Sequence, residues 1–111
     1  MCGTFVNGQF VFGCRNGTLT VKSEDGLHVA SSRNHKSNIC CLTPIKLKNE
    51  MVLASGSDHG CNSVVLWDTS IWKPIDRFDN HEAAISAIVD LQDNCHILST
   101  GYDKKVNVYD L

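Results

Sequence analysis

"LASGSDHGCNSVVLWDTS" (residues 53–70) and "ILSTGYDKKVNVYDL" (residues 97–111) state nearly the same pattern twice. Each begins with an apolar run ending in a serine, passes through a polar turn, and enters a second apolar run. Each second run closes on an aromatic residue and an aspartate, Trp67-Asp68 in one and Tyr109-Asp110 in the other. The two aspartates lie 42 positions apart. Self-similarity at such a spacing marks an array of one small supersecondary unit, in which each copy needs its neighbours to bury its apolar surface.

Outward from these stretches the chain reads as strands throughout. "QFVF" (9–12), "TLTV" (18–21), "NICCLT" (38–43), "MVLAS" (51–55), "SVVLW" (63–67), "AISAIV" (84–89), "HILST" (96–100) and "KVNVY" (105–109) are short and rich in β-branched or aromatic residues. Turn signals such as Asn7-Gly8, Asn16-Gly17 and Asp25-Gly26 stand between them. "EAAISAIVDL" (82–91) has helix-favouring residues, but it runs into an Asp-Asn turn at 93–94, and its counterpart one unit earlier is β-branched and holds Pro44. It is therefore expected to be a strand. "MVLAS" and "SVVLW" are apolar on both faces, as in a sheet packed between two others, whereas "KVNVYD" alternates.

Asn34-His35 and Asn80-His81 each follow an outer-strand segment, "GLHVASSRNH" and "KPIDRFDNH", and open a unit that ends on Trp67-Asp68 or Tyr109-Asp110. An earlier stretch, "NGQFVFGCRNGTLTVKS", keeps the layout with Lys22-Ser23 at the closing position and Phe12 where the later copies have serine. The chain thus holds about two and three-quarter copies of a four-stranded unit. The expected organisation is one domain over 1–111 with units at 1–34, 35–80 and 81–111. A lone sheet of this kind cannot cover both faces, so the units must stack.

Composition excludes several classes. Across 111 residues, 42% are apolar and 20% charged, which suits a folded domain rather than a disordered chain. A net charge of −2 offers no basic footprint for nucleic acid and no polybasic membrane signal. No apolar run approaches a bilayer span, and the N-terminus lacks a secretory pattern, so the expectation is an intracellular protein, cytoplasmic or nuclear. The cysteines at 2, 14, 40, 41, 61 and 95 include no C-x-x-C pair. They are expected to be reduced thiols with no zinc and no disulfide. No phosphate-binding glycine loop or other cofactor motif is present.

His81, Ser99 and Asp103 are the residue types of a hydrolase triad, and His35, Ser55 and Asp58 repeat them. Neither serine stands in G-x-S-x-G, and the set occurs twice at repeat spacing with Trp67 or Tyr109 as a fourth member. Duplication in adjacent repeats points to structure rather than catalysis, and no catalytic residue is assigned.

With a period in the low to mid forties, histidine near the start and Trp-Asp at the end, the chain resembles the WD-repeat family of β-propellers. The resemblance is strong over 35–111 and weaker over 1–34. It implies an all-β fold of four-stranded antiparallel meanders, the blades, and too few of them here to close a ring. The chain is accordingly expected to be part of a larger propeller, broken off before the next outer strand. The resemblance also implies a buried hydrogen-bond network in each blade: His35, Ser55, Asp58 and Trp67 in one, His81, Ser99, Asp103 and Tyr109 in the next. The lengthened turn of the middle unit leaves open whether Asp58 or His59 takes the aspartate's place. In the first unit Asn16 could replace the aspartate, but Phe12 and Lys22 cannot join.

The implied function is a scaffold that binds other proteins, with possible self-association through uncovered blade faces. Candidate contact residues lie in the turns of the rim that carries the Asn-His links: Arg15, Lys36, His59, Glu82, Tyr102 and Lys104. Trp72, in a turn at the opposite end, competes as an exposed anchor; its alternative role is packing against its own blade beside Pro74. Narrower readings are a Ser/His/Asp hydrolase, a metal-binding module, and a substrate-receptor subunit of a cullin ubiquitin ligase. The last rests on "ILSTGYDKKVNVYDL", which fits the family's box for docking on the damaged-DNA-binding adaptor except for its terminal basic residue.

Overall fold

The computed structural model describes residues 2–48, 50–58, 62–93 and 95–111; His59, Cys61 and Asn94 therefore lie outside the described residues. Eleven strands form three antiparallel sheets, each ordered along the chain. The first holds β1 (Cys2–Val6), β2 (Gln9–Gly13), β3 (Thr18–Ser23) and β4 (His28–Arg33). The second holds β5 (Ile39–Leu47), β6 (Glu50–Ser57), β7 (Val64–Asp68) and β8 (Lys73–Phe78). The third holds β9 (Ile85–Asp90), β10 (His96–Gly101) and β11 (Val106–Asp110). Among the described residues there is no helix, and "EAAISAIVDL" contributes β9.

Local chemistry accounts for the meanders. Val6 pairs with Gln9 across Asn7-Gly8, and both turn residues have positive φ, 51° and 75°. That is the backbone of a two-residue hairpin whose twist matches its strands, and Asn-Gly is the pair that adopts it most readily. The sequence reading did not include β1 as a strand. Its five residues include Gly3 and pair with β2 from Cys2↔Gly13 to Val6↔Gln9.

The middle sheet explains why its sequence looks apolar on both faces. Leu53, Val65 and Trp67 enter one buried cluster with Val6, Val11, Leu19 and Val21 of the first sheet. Their alternate neighbours Val52, Ala54, Val64 and Leu66 enter a second cluster with Ile85, Ile88, Ile97 and Tyr109 of the third. The period-two pleat thus feeds two separate inter-sheet cores from one pair of strands. Each such Val or Leu, fully buried, contributes about 1.5–3 kcal/mol of transfer free energy.

The first strands of the sheets, β1, β5 and β9, run side by side. Polar atoms stitch them together: Cys2 Sγ donates to the Ile39 carbonyl at 3.4 Å, Cys40 Sγ to that of Ile85 at 3.0 Å, and Thr43 Oγ1 to that of Ile88 at 2.9 Å. Gly56 permits the second approach, since a Cβ there would fall 2.5 Å from Cys41 Sγ and 2.9 Å from Ile85 Cγ2. Cys2, Cys14, Cys40, Cys41 and Cys95 are free thiols. Trp72 is buried rather than exposed, and its partner is the neighbouring sheet: it joins the first cluster, and its Nε1 donates to Gln9 Oε1 at 3.1 Å. Three sheets do not close a ring. Phe5 and Phe10 remain exposed on the first sheet, and Val106 and Val108, at 61% and 57%, on the third.

Candidate functional site

In the third sheet His81, in the link before β9, reaches across to β10 and to the following turn. Its Nε2 lies 2.7 Å from Ser99 Oγ, and its Nδ1 lies 3.2 Å from both Asp103 carboxylate oxygens. Ser99 Oγ is in turn bonded to Tyr109 Oη at 3.0 Å. With the Nδ1 hydrogen given to Asp103, Nε2 is left as an acceptor, and its one lone pair faces Ser99 Oγ and Asn107 Nδ2, the latter at 3.2 Å. The Asp103 carboxylate also takes the backbone N–H groups of Glu82, at 2.9 Å, and Lys105, at 3.0 Å. Burial alone would raise its pKa, but the Glu82, Lys105 and His81 donors outweigh burial and hold it down to about 2.

The middle sheet repeats the arrangement with different outer parts. Trp67 Nε1 donates to Ser55 Oγ at 2.8 Å, and the same oxygen is hydrogen-bonded to His35 Nε2 at 2.6 Å. Asp58 stands apart. Among the described residues it makes no bond to His35; its Oδ2 accepts from Asn38 Nδ2 at 3.0 Å, and Ser63 Oγ lies 3.5 Å from His35 Nδ1. Asp58 stands at the place of Tyr102, its N–H bonded to the Asn38 carbonyl as that of Tyr102 is to the Ala84 carbonyl, one position ahead of the place Asp103 takes in the third sheet. Burial, reinforced by the nearby Arg77 guanidinium and opposed by Asp79, lowers the His35 pKa to about 4.

Three participants escaped the sequence reading. Arg77, on outer strand β8, donates to the Asn34 carbonyl at 2.7 Å and to Ser63 Oγ at 3.1 Å, tying the outer strand to the histidine link. Ser63 and Asn107 each approach a histidine nitrogen. No repeat position marked them, because Arg77 and Ser63 serve one blade only and Asn107 occupies a place that is Val65 in the other. In the first sheet Asn16 Oδ1 caps its own turn by accepting from Thr18 N–H at 3.0 Å.

The rim bearing the Asn-His links is fastened by backbone bonds. Ile39 N–H donates to the Cys14 carbonyl at 3.1 Å, Asp58 N–H to that of Asn38 at 3.0 Å, and Tyr102 N–H to that of Ala84 at 2.9 Å. Arg15, Lys36, Glu82, Tyr102 and Lys104 are exposed there, Tyr102 at 75%. Glu82 takes Lys105 Nζ at 3.3 Å. Between the second and third sheets this rim opens into a groove of about 500 Å³ whose lining includes Cys40, Asp58, Glu82, Ala84 and Tyr102.

Residues 72–110 match the family "WD domain, G-beta repeat". Among the solved structures that resemble this chain, two align over nearly its full length. A computationally designed protein, Ika8, aligns with a TM-score of 0.80 at 25% identity over 98% of this chain and 32% of its own. A chain of the mitotic checkpoint complex aligns with a TM-score of 0.80 at 19% identity over 97% of this chain and 32% of its own, a likeness of fold alone. The chain therefore spans about a third of the length of each, 32%. No curated protein matches it in sequence. Residues 72–110 thus match a WD repeat, and the chain as a whole shows the fold of stacked β-propeller blades, three antiparallel meanders that do not close a ring.

Proposed function

We propose that the chain is a protein-interaction scaffold whose contact surface is the rim of the Asn-His links. The observation that carries this reading is Tyr102. The residue is 75% exposed while its own N–H is bonded to the Ala84 carbonyl, so a large amphipathic side chain stands on a fixed base beside an open groove. Tyrosine in that setting offers contact area at little conformational cost and is enriched among residues that dominate binding energy. Arg15, Lys36, Glu82 and Lys104 supply the polar border. The same features speak against a Ser/His/Asp hydrolase. Ser99 and Ser55 are fully buried with their Oγ atoms engaged, whereas a nucleophile must meet its substrate. Tyr102→Ala should abolish or strongly weaken binding of a partner isolated on the wild-type protein, with melting unchanged. A variant that melts normally and binds normally would refute the assignment.

A further inference from the structure

On the rim opposite the proposed contact surface, the β9–β10 turn gathers three unlike donor groups. Asp93 Oδ2 lies 2.7 Å from His96 Nδ1, and Cys95 Sγ lies 3.0 Å from the same nitrogen. One ligand atom from each residue falls within 4.8 Å of the others. We propose that Asp93, Cys95 and His96 form a binding site for a borderline divalent cation of the zinc class.

The geometry suits that ion. Ligand atoms about 2.0–2.3 Å from zinc at tetrahedral angles sit roughly 3.5 Å from one another. Two of the separations, 2.7 and 3.0 Å, are shorter than that, so an ion replacing the hydrogen on Nδ1 would spread the groups by about half an ångström to one ångström with small rotations. Thiolate, imidazole and carboxylate together favour zinc over the hard cations calcium and magnesium, which take oxygen ligands.

The turn is also held ready. Asp93 Oδ1 accepts the backbone N–H groups of Cys95 at 3.1 Å and His96 at 2.8 Å, which leaves Oδ2 for the ion. The Cys95 carbonyl takes Leu111 N–H at 2.7 Å, and the His96 carbonyl takes Leu91 N–H at 3.3 Å, so strands flank the site on both sides. Asp110 Oδ1 stands 3.8 Å from His96 Nε2. With Nδ1 on the metal, the ring hydrogen moves to Nε2 and points at that carboxylate, the arrangement that commonly orients a metal-bound histidine. Three protein ligands leave a fourth position to water. Binding takes the ion up and releases the Cys95 thiol proton to solvent. Cysteine spacing does not mark this set, because its three donors differ in type and come from one turn.

Cobalt(II) titration of the full chain under anaerobic, reducing conditions tests the site. One equivalent should produce a thiolate-to-cobalt charge-transfer absorption that zinc bleaches. Cys95→Ser should abolish the band, His96→Ala and Asp93→Asn should each weaken binding at least tenfold, and Asp110→Asn should weaken it about tenfold. The double variant Cys40→Ser/Cys41→Ser should leave the band intact. A second measurement needs no substitution: zinc should protect Cys95 of the wild-type chain from a thiol-alkylating reagent, read residue by residue by mass spectrometry. A wild-type chain without the band, a band that survives Cys95→Ser, or Cys95 alkylation indifferent to zinc would each overturn the proposal.

Discussion

Gly101 lies directly beneath His81: a Cβ built on the glycine would fall 2.6 Å from the imidazole Nδ1, and 2.7 Å from Asp103 Oδ1. The histidine reaches the aspartate only because this position has no side chain. Ser57 holds the matching place in the middle sheet, two residues after Ser55, and Gly56 before it is crowded by Cys41 and Ile85, so that glycine serves sheet-to-sheet approach.

Gly101→Ala should therefore break the His81–Asp103 contact without removing either group. Leaving buried partners unmade costs on the order of 1–3 kcal/mol. The midpoint of denaturant unfolding should fall with the slope unchanged, and Asp103→Asn in the same background should cost little more. Additive losses in the double variant would show that the glycine acts elsewhere.

Acid should weaken the fold in two windows. His35, with its pKa lowered from 6.5 to about 4, stays neutral when folded while the unfolded chain takes up a proton. Its contribution is complete above pH 6.5 and is lost as the pH falls toward 4, a difference of at most ~3 kcal/mol. Asp103, held from 3.8 down to about 2, adds a second loss as the pH falls through that lower range. Unfolding midpoints measured from pH 7 to pH 3 should show a decline beginning above pH 4, and His35→Gln should flatten that upper part.

Trp72 should behave as a core residue. Truncation to alanine removes its share of the first cluster and its bond to Gln9, at a cost of about 3–5 kcal/mol. Thermal melting should drop sharply. A variant that melts like the wild type but fails to bind partner would restore the tryptophan as a surface anchor.

The uncovered faces carry their own consequence. Phe5 and Phe10, with ring centroids 4.9 Å apart, and Val106 and Val108 on the third sheet present apolar surface to solvent. Exposed patches of this kind promote association. Light scattering of the purified 111-residue chain should report species larger than a monomer, and Val106→Lys with Val108→Lys should reduce their share. A cooperatively melting monomer would contradict this.

The stacked sheets were legible because their signals are local and repeated. Period-two apolar runs, Asn-Gly turns and the recurring aromatic-aspartate closure each report on a few neighbouring residues. The His–Ser–aromatic sets were readable for the same reason, since each member recurs at a fixed place in the unit. The parts that were not legible depend on single contacts between units. Asp58 takes the place of Tyr102 and bonds Asn38, Arg77 joins an outer strand to a histidine link, and Trp72 crosses to a neighbouring sheet. Turn length and partner choice across sheets leave no periodic trace. The Asp93–Cys95–His96 turn was missed because the donors were sought as like pairs.

Hydrogen–deuterium exchange of the chain, alone and saturated with a partner isolated on it, shows whether partners meet the rim of the Asn-His links. The prediction is new protection confined to the turns at 14–17, 82–84 and 101–105, with the opposite turns at 24–27, 69–72 and 91–93 unchanged. Protection gained at those opposite turns, with 101–105 exchanging as in the free chain, would contradict it.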